Sequence, residues 1–455
     1  MIATPLRRAL GNAWILALAR GQRSIPFAPR HYIEKLRDDR VRRIVRYAAL
    51  TVPFYRDAFR RLGLDPREIR TADDLARLPM IEKDDLRRDP EAFVSTSRAG
   101  RRSVPFESSG STGSRVSIRH DARSLLANVA YGERERAVVT RILGRESGYR
   151  EVLLGYVGGT RDKVYDFYRD WTWIPARPRR LELLVTAPFA SNVEAINRFR
   201  PDVLFGYGSY LHATARAVAA GAISLERPKL LIYAAEPLSL ATRHEIEAAM
   251  GAPLVARYTA VEAFKLAFLC EHRTGFHVHE DLAHIRILGA DGRTARDGGS
   301  GCVVLSNLVN RGTVLLNYRM SDISRWSAAS CACGRTLRML DEIEGRAEDL
   351  LDLPNGEMMH PRAVWGVLKP HPEVLQYQLV QREPARFLLK LVTATRDDYA
   401  RLAPRLARAM EALLGTGTSV ETEACAELPR EGGGKVRMVV ALRSGSDPAR
   451  SLRGV

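Results

Sequence analysis

Cysteine, lysine and long apolar runs are all scarce in this chain of 455 residues, and each scarcity excludes something. The five cysteines (Cys270, Cys302, Cys331, Cys333 and Cys425) are too few, and odd in number, for a disulfide framework, so reducing, cytoplasmic surroundings are expected. No apolar run approaches the roughly 20 residues that span a bilayer. The N-terminal MIATPLRRALGNAWILALARG pairs two arginines with a short apolar stretch at 13–19, which faintly resembles a secretory leader with cleavage near 17–20. The better reading is an amphipathic helix at a membrane surface, although membrane association is not counted among the expected partnerships. Only eight of the 70 basic residues are lysine, and the formal net charge is +17. An arginine bias spread over the whole chain reads as a solvated basic surface, or as attraction to small or acidic anionic partners. No basic run carries interleaved aromatics, so nucleic acid is not an expected partner.

What is present is an ordinary globular composition, 45% apolar and 27% charged, in a chain long enough for two cores. Residues 1–100 read as a helical layer. Helical spacing runs through 31–62 (Tyr32, Ile33, Leu36, Val41, Ile44, Val45), and a helix start is expected at Thr71. From about 150 to 260, short apolar runs (EVLLGY, DVLFGY, LLIYAAE, LVARYTA) alternate with helical stretches such as 209–220 and 239–250. That alternation predicts an α/β unit with a largely parallel sheet. Residues 276–325 are strand-rich, which suggests an antiparallel subdomain or small barrel. After 346 the pattern becomes a compact α+β module. The expected boundaries are a large N-terminal domain over 1–346, made of 1–100, 101–275 and 276–346, and a small C-terminal domain over 350–455.

Five short segments could carry chemistry. Ser108-Ser109-Gly110-Ser111-Thr112-Gly113 offers small residues, hydroxyls and backbone N–H groups to a polyphosphate, without the GK[ST] of a Walker loop. Tyr258-Thr-Ala-Val-Glu262 follows an expected strand and presents a carboxylate suited to magnesium. Asn317-Tyr-Arg-Met-Ser-Asp322 places an aspartate where it could accept from ribose hydroxyls. Gly345-Arg346-Ala-Glu-Asp349 sits at the change of texture, and Gly432-Gly-Gly-Lys435 puts a rare lysine on a glycine-rich tip.

Taken in order, with VPFYRDAF, LDPREI…DDLARLPMIEKDDLR and Ala235-Glu236-Pro237, these segments resemble the adenylate-forming superfamily over nearly the whole chain. The likeness is strongest to the phenylacetate–coenzyme A ligase family and its relatives encoded with capsular-polysaccharide genes. The resemblance implies the adenylate-forming ligase fold, α/β with a large N-terminal domain and a small, mobile C-terminal α+β domain. It implies ATP and magnesium as cofactors, a small carboxylic acid as substrate, and coenzyme A or an acyl carrier protein as acceptor. By the same resemblance Ser108, Ser109, Gly110, Ser111, Thr112 and Gly113 form the phosphate loop. Ala235, Glu236 and Pro237 line the adenine and Tyr258 stacks on it. Glu262 holds magnesium, Asp322 binds ribose, Arg346 contacts the nucleotide, Asp349 is the hinge and Lys435 is the catalytic lysine. The sequence departs from the family pattern at Ser114, where lysine is usual, and at Thr259 and Val261. Transfer of the acyl group to an amine or hydroxyl, and a non-catalytic nucleotide-binding scaffold, are the alternative functions, and a homodimer is left open.

A last cluster stands apart. Cys331-Ala-Cys333-Gly is a tight turn, and upstream lies Cys270-Glu-His272-Arg-Thr-Gly-Phe-His277-Val-His279. Two thiolates on a turn, with a cysteine and a histidine from a neighbouring strand, suit tetrahedral zinc. Cys270, His277, Cys331 and Cys333 are the expected ligands of a structural zinc, with His272 or His279 as substitutes for His277. Some members of the resembled family carry a structural zinc on such a set.

Overall fold

The computed structural model describes residues 4–107, 116–155, 160–173, 179–289, 291–295, 297–346, 351–354, 358–359, 361–368, 370–371, 373–429 and 436–442. The N-terminal layer is helical as expected. Its long helical stretch is two elements, Arg30–Thr51 and Pro53–Leu62, because Pro53 cannot continue the ladder and instead opens the second helix. The start expected at Thr71 is a short 3-10 turn, Asp73–Arg77. There Asp74 Oδ2 accepts from the backbone N–H of Arg70 and of Thr71.

A hairpin, β1 (Val104–Glu107) and β2 (Ser117–His120), follows this layer. The strands β3 (Arg150–Gly155), β4 (Arg179–Leu184), β5 (Val203–Tyr207), β6 (Leu230–Ala234) and β7 (Leu254–Tyr258) are parallel, in the order β4-β3-β5-β6-β7. β5, β6 and β7 read as near-continuous apolar runs because helices cover both faces of a parallel sheet. The crossover helices are punctuated by their ends: Ser239 Oγ accepts from Thr242 N–H at the start of Leu240–Met250, and Gly251 closes that helix at φ +65°.

The strand-rich stretch does not form a separate barrel. β8 (Ala267–Leu269), β9 (Phe276–Val278), β10 (Ala283–Leu288), β11 (Ser300–Asn307), β12 (Tyr318–Trp326) and β13 (Met339–Arg346) continue the same sheet antiparallel, giving eleven strands that end on β10. The join is made by β8 pairing with β7, and by β9 pairing with both β8 and β13.

Beyond β13 lie a short pair, β14 (Leu351–Asp352) and β15 (Met358–Met359), and a sheet of β16 (Val374–Glu383), β17 (Arg386–Thr393), β18 (Ser419–Ala424) and β19 (Val439–Val440). Helix Arg396–Leu414 packs Leu402, Leu406 and Met410 on Leu389 and Leu391, a core distinct from that of the large sheet. This unit touches the large sheet's helix Gly208–Ala219, where Arg216 Nη2 donates to the carbonyl of His371.

Candidate functional site

The carboxyl ends of parallel strands are where open α/β sheets bind ligands. β6 ends in Ala234, and Ala235 follows at φ +73°, a left-handed backbone that a non-glycine residue adopts only under constraint. Glu236 is held in place: its Oε2 accepts from Ser209 N–H at 2.7 Å, at the start of helix Gly208–Ala219. Its Oε1 accepts from Val436 N–H at 3.3 Å. The Ala235–Pro237 turn is thereby joined to the residue next to Lys435.

Tyr258 ends β7, and its hydroxyl donates to Asp322 Oδ2 on β12 at 2.6 Å. Asp322 lies opposite Arg346 across the β12–β13 ladder, so Tyr258, Asp322 and the backbone of Arg346 meet at one place. The carboxylates of Glu262 and Asp322 both act on Tyr318. Burial first, and then those two charges, push its hydroxyl pKa well above the usual value. Residues 108–113, Asp349, Lys435 and the side chain of Arg346 lie outside the described residues, and β1 and β2 flank the 108–113 segment, with Glu107 opposite Ser117.

The backbone that carries Glu262 is fixed from three sides. His120 Nε2 is 2.7 Å from the carbonyl of Val261 and donates to it, because a carbonyl can only accept. Burial pushes the His120 pKa down to about 4, so the ring is neutral near pH 7. The ring also packs on Phe264, centroid to centroid at 4.2 Å. Asn307 Nδ2 donates to the carbonyl of Glu262 at 2.8 Å. Lys265 Nζ donates to the buried Glu135 at 3.0 Å, and Arg257 and His279 face the same carboxylate at 3.3 and 3.4 Å. Burial alone would raise the Glu135 pKa; Lys265, His279 and Arg257 overcome it and hold the carboxyl ionised. Sequence reasoning passed over His120, Asn307 and Glu135, whose partners lie between 45 and 141 residues away.

Phe167 and Tyr168 join a buried core with Ile15, Phe106 and Leu125, and the Tyr168 hydroxyl donates to the carbonyl of Leu125. His279 belongs to the Glu135 network and not to the cysteine cluster.

That cluster gathers Cys270, His277, Cys331 and Cys333, with donor atoms all within 4.8 Å of one another. Cys270 Sγ and Cys331 Sγ are 3.6 Å apart, and Cys333 Sγ and His277 Nε2 are 3.4 Å apart. A tetrahedral ion with a metal–sulfur bond of about 2.3 Å and a metal–nitrogen bond of about 2.0 Å requires about 3.8 and 3.5 Å, so the donors fit. The sulfurs also receive donors, from His272 N–H, the Thr274 hydroxyl and Arg335 N–H, and such contacts favour the thiolate form. Without a metal, burial pushes the Cys270 thiol up to about 12.

No family model matches the chain. Among curated proteins, a phenylacetate–coenzyme A ligase of Thermus thermophilus is 27% identical, over 91% of this chain and 98% of that protein. Over nearly its whole length the chain is similar in sequence to the phenylacetate–coenzyme A ligases. Protein CapK of Staphylococcus aureus is 22% identical over 89% of this chain and 88% of its own length. Among solved structures, 2-hydroxyisobutyryl-CoA ligase in the postadenylation state in complex with R3-HIB-AMP aligns with a TM-score of 0.72, over 92% of this chain and 91% of that one, at 19% identity. The chain has the fold of the adenylate-forming ligases, and among the described residues no helix is long and apolar enough to cross a membrane.

Proposed function

We propose that the chain is an AMP-forming acid ligase, which activates a small carboxylic acid with ATP and passes the acyl group to coenzyme A. The observation that carries the proposal is the meeting of Tyr258, Asp322 and the Arg346 backbone beside the constrained turn at Ala235 and the pinned loop of Glu262. A nucleotide placed there would have Tyr258 against its base, Asp322 on its ribose and residues 108–113 at its phosphates. Magnesium, held by Glu262, would offset phosphate charge.

In the first half-reaction a carboxylate oxygen attacks the α-phosphorus, the bond to the β-phosphate oxygen breaks, and pyrophosphate leaves. Lys435 meets the charge that develops on the phosphoryl oxygens. Contact between Glu236 and Val436 supports a pose in which the C-terminal unit delivers that lysine. In the second half-reaction a thiolate attacks the acyl carbon and AMP leaves, after the small domain, 350–455, has turned about Asp349. The cysteine cluster is proposed to hold a structural zinc, closed by four protein ligands, and the five cysteines, none in a disulfide, support a cytoplasmic location.

The test is a screen of aryl, acyl and hydroxy acids with ATP, magnesium and coenzyme A, read by mass spectrometry for thioester and by AMP release. Thioester and AMP formed together from one acid class are the expected result. ATP turnover to ADP, or no AMP from any acid, would contradict the proposal.

A further inference from the structure

Helix Thr4–Ala19 packs on helices Ala122–Tyr131 and Thr160–Trp171 through one face. Gly11 and Ile15 form that face. Gly11 lies so near the carbonyl of Trp171 that an added Cβ would sit 2.0 Å from its oxygen, so the contact face is fixed. A helix on a protein surface normally turns a polar face to water. This one does not: Leu6, Leu10, Trp14 and Leu16 are 56%, 55%, 40% and 57% exposed, and Ala9, Ala13 and Ala17 fill the arc between them. Between Arg8 and Arg20 the helix carries no charged residue. Trp173, 56% exposed, extends this apolar face, since its backbone N–H donates to Asn12 Oδ1.

The charges along the helix and in the cleft beside it are predominantly positive, with the exposed Asp170, whose carbonyl accepts from Arg7 Nε, at one edge. The first acidic residue of the chain is Glu34, and five arginines precede it. Arg7 and Arg20 lie along the helix and at its end. The exposed Arg123 stacks on Trp14 at 5.5 Å. Beside Trp14 a cleft of about 310 Å³ is walled by Arg40, Arg43, Arg123 and Arg311. Its one carboxylate, Asp121, is occupied by the backbone N–H groups of Arg123, Ser124 and Arg311.

We infer that this face docks the protein on an anionic phospholipid surface, with Leu6, Leu10, Leu16, Trp14 and Trp173 in the interfacial layer and the arginines on headgroup phosphates. A helix apolar on its outer arc, with interfacial tryptophans and cationic flanks, suits such a surface. A second copy of the chain suits it poorly, because a two-fold contact would bring two arginine-flanked faces of like charge together. The sequence alone offers an amphipathic helix at a membrane surface without counting a membrane among the expected partners, because it does not show which arc of a nearly all-apolar helix the protein covers.

The test is cosedimentation of the full chain with phosphatidylcholine vesicles, with and without phosphatidylglycerol, together with its fluorescence blue shift. Binding to the anionic vesicles, weakened by salt and lowered at least about tenfold in Leu10→Glu/Leu16→Glu at unchanged melting temperature, supports the inference. Arg20→Glu, which leaves the apolar arc intact, should weaken binding to anionic vesicles alone. Equal binding to neutral vesicles, undiminished binding by the variants, or a dimer in light scattering that Leu10→Glu dissolves without any vesicle binding would overturn it.

Discussion

Replacing Arg134 by methionine should be among the most damaging single substitutions outside the proposed nucleotide site. Arg134 and Asp281 are both fully buried, and the guanidinium meets the carboxylate through two bonds of 2.6 and 2.8 Å. Its Nε also donates to Gln22, so the same side chain ties the N-terminal layer to the sheet. Without it Asp281 keeps, among the described residues, the ion pair with Arg40 at 2.9 Å, and the Gln22 side-chain oxygen loses the Arg134 donor. Breaking a buried pair from one side costs about 3–5 kcal/mol, mostly for the charge left behind. Removing both charges in Arg134→Met/Asp281→Leu should recover much of that loss. Burial by itself would raise the Asp281 pKa; Arg134 and Arg40 hold it well below the usual carboxylate range. A depressed folded pKa contributes stability that is present above the unfolded value, about 3.9, and lost as pH falls below it. The gap between wild type and Arg134→Met should therefore narrow below about pH 4. Urea unfolding at several pH values measures this. A loss under about 1 kcal/mol, or a double variant no more stable than the single one, would refute the reasoning.

Other outcomes follow from the same contacts. His120→Phe removes the donor to Val261 while keeping a ring on Phe264; it should raise KM for ATP several-fold with only a small change in melting temperature, read by steady-state kinetics. Tyr258→Phe should cost about 1 kcal/mol of nucleotide affinity by freeing Asp322 from its donor, measured by calorimetric titration of ATP. Purified protein should contain close to one zinc per chain, and Cys331→Ser should lower both zinc content and melting temperature; protein without zinc would sink the metal assignment. Gly11→Leu should loosen helix Thr4–Ala19 from Trp171, seen as faster amide exchange over residues 4–19.

Much of the fold could be read from local pattern. The parallel strands β5, β6 and β7 announce themselves as apolar runs, and the order of Tyr258, Glu262 and Asp322 along the chain matches their convergence in space as far as the Tyr258–Asp322 bond shows. The cysteine cluster was equally legible, because Cys331 and Cys333 fall on one turn and Cys270 and His277 lie close together in a second short segment. Strand pairing was not legible. Whether β10 to β13 close on themselves or run on from β7 depends on β9 pairing with β13, a contact about 60 residues apart that no periodicity records. β4, RRLELL, was missed because at the sheet's edge its exposed Arg179 and Glu182 interrupt the apolar run. His120, Asn307 and Glu135 were missed for the same reason as the β9–β13 pairing: a buried polar residue reveals its purpose only through its partner.

The central claim is carboxylate activation through an adenylate, with Lys435 delivering charge to the transition state. Exchange of labelled pyrophosphate into ATP, dependent on a single acid class, tests it most directly. The account predicts exchange in the wild type without coenzyme A, and a fall on the order of a hundredfold or more in Lys435→Ala. Exchange that survives unchanged in that variant, or none with any acid in the wild type, would contradict it.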